Sequence, residues 1–356
     1  MTKVLFVIKR RDAFDPIKHA ETSMQCGLYN SISYVHNMLL SQGIESQLSI
    51  CIDNNCINGF VYRFKPTHVI VEALWVVPEK IKLLQSMYPS IIWIIRLHSG
   101  MPFFAIESSQ STKWCAEYVK IPNVFLAVND KRLLNELNII VTKTISERKE
   151  EKDLIIYLPN FYPQNILSKT NQVSNKVEKD TIDISCFGAI RPFKNVLTQA
   201  IAAIEFSKKI NKKLRFHINS DRNELNGSTV YTNLDNLFTY LPENYTLIKH
   251  PWMPRDTFLE LCQNIDIGLQ VSFTETFNIV SADIVSNGVP IVGSTEIPWM
   301  NKRYMAEPVD VNDIIDKLLV TYNNLEDNIQ ENQEGLLNYT NETIKVWLKY
   351  LKPDLV

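Results

Sequence analysis

The stretch from Asn264 to Ser294, NIDIGLQVSFTETFNIVSADIVSNGVPIVGS, constrains the fold more than any other part of the chain. Ile265 to Val271 is a short apolar run, the pattern of a strand buried on both faces. Ser272 to Thr276 is polar, and Thr276 is expected to cap the helix that follows. Phe277, Val280, Ile284 and Val285 give that helix a buried stripe. Asn287-Gly288 stops it, because glycine tolerates the left-handed conformation past a helix end. Val289 to Val292 opens the next buried strand, with Pro290 tolerated at its first positions. Strand, loop, helix and strand in so short a span is the unit of a parallel α/β sheet.

The same rhythm fills both halves. Lys3 to Ile8, Glu45 to Cys51, His68 to Glu72, Ile91 to Leu97, Asn123 to Val128 and Leu154 to Leu158 read as strands of a first doubly wound sheet. A helix opens at Cys26-Gly27-Leu28-Tyr29 and closes at Gly43. Gln164 to Asp180 is polar and aperiodic, the signature of a linker. Ile182 to Phe187, Leu214 to Ile218 and Leu247 to His250 are strands of the second half, with helices from Val196 to about Lys209, from Asp313 to Asn323 and from Glu342 to Leu351. The expected division is an N-terminal domain over 1–163, a linker over 164–180, a C-terminal domain over 181–335 and a last helical stretch over 336–356. With 356 residues, 45% of them hydrophobic, the chain can bury two such cores.

A net charge of −2 gives no basic excess of the kind that marks a nucleic-acid binder. Six scattered cysteines without a C-x-x-C pair point to reduced thiols in a cytoplasmic protein. No apolar run reaches the length of a membrane span, and Met1 to Ile8 leads straight into a strand instead of a signal peptide.

Two places carry chemistry. Glu275 lies in the loop and Asp283 on the helix, eight positions apart. Buried carboxylates need partners, and the hydroxyls of a nucleotide sugar would serve; a helix tip between them offers N–H groups to a diphosphate. A capping Glu and a solvated helical Asp would account for the same spacing. The second place is Gly188-Ala189-Ile190-Arg191-Pro192-Phe193-Lys194-Asn195, between a strand and a helix. Gly188 lets backbone approach an anion, while Arg191 and Lys194 supply charge for a diphosphate. Solvated basic residues at a βα turn are the plain alternative.

The segment E-T-F-N-I-V-S-A-D-I-V-S-N-G-V-P-I-V-G-S resembles the E-x7-E segment of retaining GT-B glycosyltransferases of the large glycosyltransferase 4 type. Glu275, Phe277, Gly288, Val289 and Pro290 match that pattern; Asp283 stands for its second Glu, and Thr276 and Asn278 replace two glycines. Gly188, Pro192 and Lys194 match the family's G-R-x-x-P-x-K, whose Arg appears here two residues later as Arg191. The resemblance implies two Rossmann-like domains facing a cleft and a C-terminal helix crossing back to the first domain. It implies that Lys194 and Arg191 hold the diphosphate of the donor, Asp283 the ribose, and Glu275, with Thr276, Phe277 and Asn278 beside it, the donor sugar. His98, delivered with Arg96 and Ser99 to the end of IIWIIRL, matches the family's sugar-contacting His from the opposite domain. Arg96 could pair with Glu72, with Glu107 or with a phosphate. Gly27 stands where the family has a loop approaching donor phosphates or acceptor, so Gly27, Arg96 and Ser99 are assigned to the acceptor side. Trp252 either stacks on the base or fills the core. The implied activity is transfer from a nucleotide-diphosphate sugar, UDP-sugar foremost, to a hydroxyl, without cofactor or metal.

The chain is also similar to bacteriophage-encoded glycosyltransferases, some of which glycosylate hydroxymethylated pyrimidines in DNA. Lys9, Arg10, Arg11, Lys18, Arg63 and Lys65 could form a basic face for that acceptor, although solvated charges explain them equally. A surface glycan or a lipid-linked sugar is the other acceptor class. A sugar-nucleotide 2-epimerase of the same fold and a non-catalytic nucleotide-sugar binder complete the alternatives.

Overall fold

The structure, a computed structural model, describes residues 2–10, 27–147, 154–163 and 179–352. Arg11, Lys18, Cys26 and positions 164–178 of the expected linker lie outside the described residues. The chain divides into two compact units; the first ends at Pro163 and takes back the chain from Thr340, and the second runs to Tyr339.

The first unit comprises β1 (Lys3–Lys9), α1 (Gly27–Ser41), β2 (Glu45–Cys51), α2 (Cys56–Phe64), β3 (His68–Glu72), α3 (Pro78–Met87), β4 (Ile92–Leu97), α4 (Met101–Glu107), α5 (Ser111–Tyr118), β5 (Val124–Val128), α6 (Lys131–Glu147) and β6 (Ile155–Tyr157). Its six strands pair in the order β2-β1-β3-β4-β5-β6, all parallel. β1 reads as an unbroken apolar run because both its faces are covered. Leu5 and Val7 pack with Ile57 and Val61, whereas Val4, Phe6 and Ile8 pack with Ile32, Val35 and Trp347.

The second unit comprises β7 (Thr181–Cys186), α7 (Val196–Lys209), β8 (Lys213–Asn219), α8 (Gly227–Thr239), β9 (Tyr245–His250), α9 (Arg255–Cys262), β10 (Ile267–Gln270), α10 (Ile279–Ser286), β11 (Ile291–Ser294), β12 (Met305–Ala306), α11 (Val311–Tyr322) and α12 (Leu325–Leu351). Its order is β12-β11-β10-β7-β8-β9, again all parallel. Chain order therefore reverses between β7 and β10. In open α/β sheets ligands bind outside the carboxyl ends of the strands at such a switch point.

Three expectations change. α10 starts at Ile279, and its cap is Asn278 instead of Thr276: the Asn278 Oδ1 accepts from the Ser281 N–H, and Asn278 sits at φ 58°. Residues 281–286 of α10 are buried on every side, so the helix has no apolar stripe with a wet back. The last helix begins at Leu325, far before Glu342. Its early part hides buried amides in an otherwise polar pattern. Asn328 donates to the Ile291 carbonyl and accepts from the Ile291 N–H, replacing a strand neighbour at the sheet edge. Gly335 is required there, since a Cβ would lie 2.3 Å from the Trp299 carbonyl oxygen. From Thr340 onward the helix belongs to the first unit. Thr340, Thr343 and Trp347 donate to the carbonyls of Tyr162, Asn160 and Pro159.

The four described residues of the expected basic face, Lys9, Arg10, Arg63 and Lys65, fall in two groups. Lys9 and Arg10 lie at the carboxyl end of β1, where the Arg10 N–H donates to the Cys51 carbonyl. Arg63 stacks on Phe60 near the end of α2, and Lys65 follows that helix at the amino end of the sheet, where the Thr67 N–H donates to the Lys3 carbonyl. A seven-residue strand separates the two groups, a span of roughly 20 Å.

Candidate functional site

The switch point of the second sheet gathers two loops, one after β7 and one after β10. β7 delivers the chain to Gly188, whose φ of +119° excludes side chains and whose N–H donates to the Asn219 Oδ1 at 2.9 Å. Pro192–Lys194 forms one turn of 3-10 helix, and Asn195, left-handed at φ 55°, starts α7. Buried amides then tie this loop to the other. Asn195 Nδ2 donates to the carbonyls of Val271 and Pro308, and Gln199 Oε1 accepts from the Val271 N–H while its Nε2 donates to the Lys194 carbonyl. The Phe273 N–H donates to the Phe193 carbonyl.

That lacing brings Lys194 onto Glu275, and the two form a direct ion pair with side chains only 13% and 9% exposed. Asn278 Nδ2 donates to the same Glu275 Oε1 at 3.1 Å and to Gln270 Oε1 at 3.0 Å, and Gln270 Nε2 donates to the Phe187 carbonyl. Asn278 thus anchors Glu275, caps α10 and joins β10 to the turn after β7. Its left-handed backbone is the conformation that glycine adopts without strain. Asn is the side chain that tolerates it best, which accounts for Asn where the resemblance has Gly. Ser281 and Ala282 use their N–H groups on the cap, so the tip of α10 offers those of Ile279 and Val280. The hydroxyls of Ser272, Thr274 and Ser281 are buried and have no protein partner among the described residues. Phe277 is core: it packs with Trp299 and Tyr339, and its carbonyl accepts from the Trp299 indole. Thr276 is likewise buried.

Asp283 is not solvated, and it already has a protein partner. Arg255 donates to both its oxygens, at 2.6 and 3.0 Å, and Asp283 is 3% exposed. The sequence places Arg255 in a loop that the resemblance assigns to the base, and does not show that it pairs with Asp283. Its signal was an arginine in the first turn of a helix, where the dipole disfavours a cation and a tertiary partner is the usual reason to keep one. Arg191 pairs with Glu224 at 3.5 Å, and Arg222 also binds Glu224. Trp252 is neither fully buried nor bare. The Arg222 guanidinium lies 4.4 Å over its ring, and the Trp252 backbone N–H donates to Asp221 Oδ1.

In the first unit, β3 and β4 place Glu72, Arg96 and His98 side by side. Arg96 is completely buried; it donates to both Glu72 oxygens, to the Leu158 carbonyl and to Asn160 Oδ1, and its guanidinium lies 5.4 Å over Trp347. A residue with no exposed surface cannot line an acceptor site, so Arg96 is a positioning residue, paired with Glu72 instead of with Glu107 or a phosphate. His98 Nε2 donates to Glu72 Oε2 at 2.5 Å. Burial pushes the Glu72 carboxyl up, but Arg96 and His98 outweigh it and hold the group below its ordinary range. Burial, aided by Arg96, keeps the His98 imidazole below its usual value against the pull of Glu72. His98 is therefore neutral at pH 7, with its proton on Nε2 and its acceptor on Nδ1. Ser99 is half-buried just before α4, and Gly27 is half-buried at the start of α1.

No protein-family model matches the sequence, and no curated protein does. Solved structures do. A sucrose-phosphate synthase from Thermosynechococcus elongatus matches 100% of the chain and 99% of its own length, with a TM-score of 0.70 at 10% identity. A UDP-forming α,α-trehalose-phosphate synthase from Burkholderia vietnamiensis matches 100% and 97%, with a TM-score of 0.69 at 10% identity. The fold is GT-B. TarM is similar over 80% of the chain and 54% of its own length, with a TM-score of 0.57 at 14% identity. The two parallel six-stranded sheets are thus the two Rossmann-like halves of a GT-B protein.

Proposed function

We propose that this chain is a glycosyltransferase that moves a sugar from a nucleotide-diphosphate sugar to an acceptor hydroxyl. The observation that carries the reading is the convergence of Gly188, Lys194, Glu275 and the tip of α10 at the switch point of the second sheet. In this reading the diphosphate takes Lys194 from Glu275 and lies against the Ile279 and Val280 N–H groups. Glu275, still held by Asn278, turns to the hydroxyls of the donor sugar. Asp283, oriented by Arg255, accepts from the ribose. Electrostatic stabilisation of the leaving diphosphate does more for the rate than anything else such a site can supply. The trehalose-phosphate synthase named above is UDP-forming, and a UDP-sugar is the first donor to try here. With Lys194 and the helix tip as the positive charges, the proposal has the reaction proceed in EDTA, with retention of configuration.

The test is direct. The protein is incubated with a panel of nucleotide sugars, with and without hydroxymethylated DNA, glycans and lipid-linked sugars, and nucleotide release is followed by mass spectrometry. Acceptor-dependent release of a nucleoside diphosphate is the expected result. An isomerised donor would mean an epimerase, and binding without turnover a binder; no binding by any nucleotide would overturn the reading. On the first unit, His98→Ala tests whether the neutral imidazole takes part, read as kcat against KM.

A further inference from the structure

The carboxyl end of the first sheet carries an apolar ledge that the reading above does not use. It is built from the two segments that leave the sheet after β3 and β4, strands that pair with Glu72 opposite Arg96. The first segment, Ala73-Leu74-Trp75-Val76-Val77-Pro78, and the second, Gly100-Met101-Pro102-Phe103-Phe104-Ala105-Ile106, contain no charged residue. The Ala73 N–H donates to the Arg96 carbonyl at 2.9 Å, so the two segments start side by side. Val76 and Phe104 are buried and root the segments in the core of this unit. Leu74, Trp75, Met101 and Phe103 keep part of their surface, Pro102 and Ala105 are exposed, and Ile106 is 50% exposed.

Two features set the ledge apart from the apolar residues that any surface carries. Ala73 is left-handed at φ 70°, a conformation that alanine seldom holds. The turn lets the Trp75 indole N–H reach back to the Glu72 carbonyl at 3.1 Å. Strained backbone of this kind collects at functional sites. The second feature is place. His98 and Ser99 join the end of β4 directly to Gly100, so the ledge continues from residues of the proposed site. Its side chains have nothing to offer the hydroxyls of a sugar or the oxygens of a phosphate: the indole is the one nitrogen or oxygen group among them, and its hydrogen is already used.

We infer that the acceptor of the proposed reaction carries a hydrocarbon chain, which this ledge holds while the hydroxyl that receives the sugar lies at the His98 end. A chain without charge or hydrogen-bonding groups gains by leaving water for such a surface. A free or phosphorylated sugar would give up its water there and find no replacement partner. The thioether of Met101 adapts to a flexible chain. In the transfer the acceptor oxygen bonds to the sugar carbon and gives up its proton, the nucleoside diphosphate leaves with the electron pair, and the chain is unchanged. The role of the chain in a reaction rests on the transferase reading; the binding of the chain is measured apart from it.

Calorimetry and methyl-labelled NMR spectra of the full chain test it. The probes are n-octyl β-D-glucoside, kept below its micelle concentration, and methyl β-D-glucoside, which has the same sugar and no chain. The expected result is saturable binding of the octyl compound, at least about tenfold tighter than the methyl one. The methyl resonances of Met101 and Ile106 move, while those of Ile139 on α6 and Ile201 on α7, which are also exposed, stay in place. Ile106→Asn, at an exposed position, weakens octyl glucoside binding about fivefold with the circular dichroism unchanged. Equal binding of the two glucosides, shifts spread over Ile139 and Ile201, or full affinity in Ile106→Asn would each overturn the inference and leave the transferase reading to nucleotide binding, measured with UDP and GDP. Sedimentation with phosphatidylcholine vesicles without saturable octyl glucoside binding would also overturn it and give the ledge to a bilayer. Chain binding without any nucleotide binding would overturn the acceptor role together with the transferase reading.

Discussion

Arg96 is the residue whose removal the structure predicts most sharply. It and Glu72 are both fully buried, and the guanidinium makes its bonds to Glu72, the Leu158 carbonyl and Asn160 Oδ1 away from water. Arg96→Met keeps much of the volume but leaves a carboxylate in the core with only His98 beside it. Removing one member of a buried ion pair costs about 3–5 kcal/mol, because the partner stays desolvated. For a unit of this size 1 kcal/mol moves Tm by about 2–4 °C, so the transition of the first unit falls by roughly 6–20 °C. The transition of the second unit does not move. Glu72→Leu combined with Arg96→Met removes both charges and is less destabilised than the sum of the two single variants. Differential scanning calorimetry of the three variants measures all of this. A loss below about 1 kcal/mol in Arg96→Met, or strict additivity in the double variant, would refute the argument that a desolvated charge dominates here.

Lys194→Ala removes the cation expected to stabilise the leaving diphosphate, so nucleotide release drops by orders of magnitude while circular dichroism is unchanged; near-normal turnover takes Lys194 out of the mechanism. Asn278→Gly and Asn278→Ala both lose the cap and the bonds to Glu275 and Gln270, but Gly keeps the left-handed turn whereas Ala adds about 1 kcal/mol of backbone strain, so urea melts should show Ala the less stable of the two, the reverse of the order in a helix interior. Gly335→Ala drives a methyl into the Trp299 carbonyl and lowers Tm by several degrees or prevents soluble expression, the opposite of the gain expected for Gly→Ala in a helix. Burial lowers the pKa of His36, His68, His98 and His250, His68 to about 4. The unfolded chain therefore takes up protons first, and stability is lost as pH falls below ~6.5, ahead of the loss from Glu72 and Asp183, which sets in only as pH falls from the ordinary carboxyl range toward their depressed folded values; a Tm that stays flat from pH 7.5 to pH 5 would contradict this.

Most strands were legible as short apolar or alternating runs closed by a turn signal, whereas the two-residue β12 carries no such pattern. Glu45–Cys51, His68–Glu72 and the helix Val196–Lys209 fall where periodicity alone puts them. The site was legible as composition and not as wiring. Glu275, Lys194 and Gly188 do meet, but nothing in the local pattern shows that Asp283 is held by Arg255. Arg96 looked like an active-site cation because it ends a central strand; what the strand pattern does not show is that β3 places Glu72 directly opposite it. Amides were the least visible class. Asn195, Gln199, Gln270 and Asn328 are all buried and all bridge elements far apart in sequence, so no local pattern marks them.

Those amides also explain how two buried acids can be kept in readiness at one site. A carboxylate without a partner would be too costly to bury, and a carboxylate with a rigid, fully enclosed partner would be unable to change it. The two acids are held differently. Asp283 is gripped at both oxygens by Arg255, which fixes its orientation and suits it to a contact that stays the same throughout a reaction. Glu275 shares one oxygen between Lys194 and Asn278, and Asn278 is itself fixed by Gln270 and by the start of α10. If an anion draws Lys194 away, Glu275 still has the Asn278 amide, so the carboxylate is never stranded and the lysine can follow the developing negative charge. The division of labour follows from the partners: the acid with the bidentate arginine is the fixed one, and the acid with the lysine is the one that can exchange.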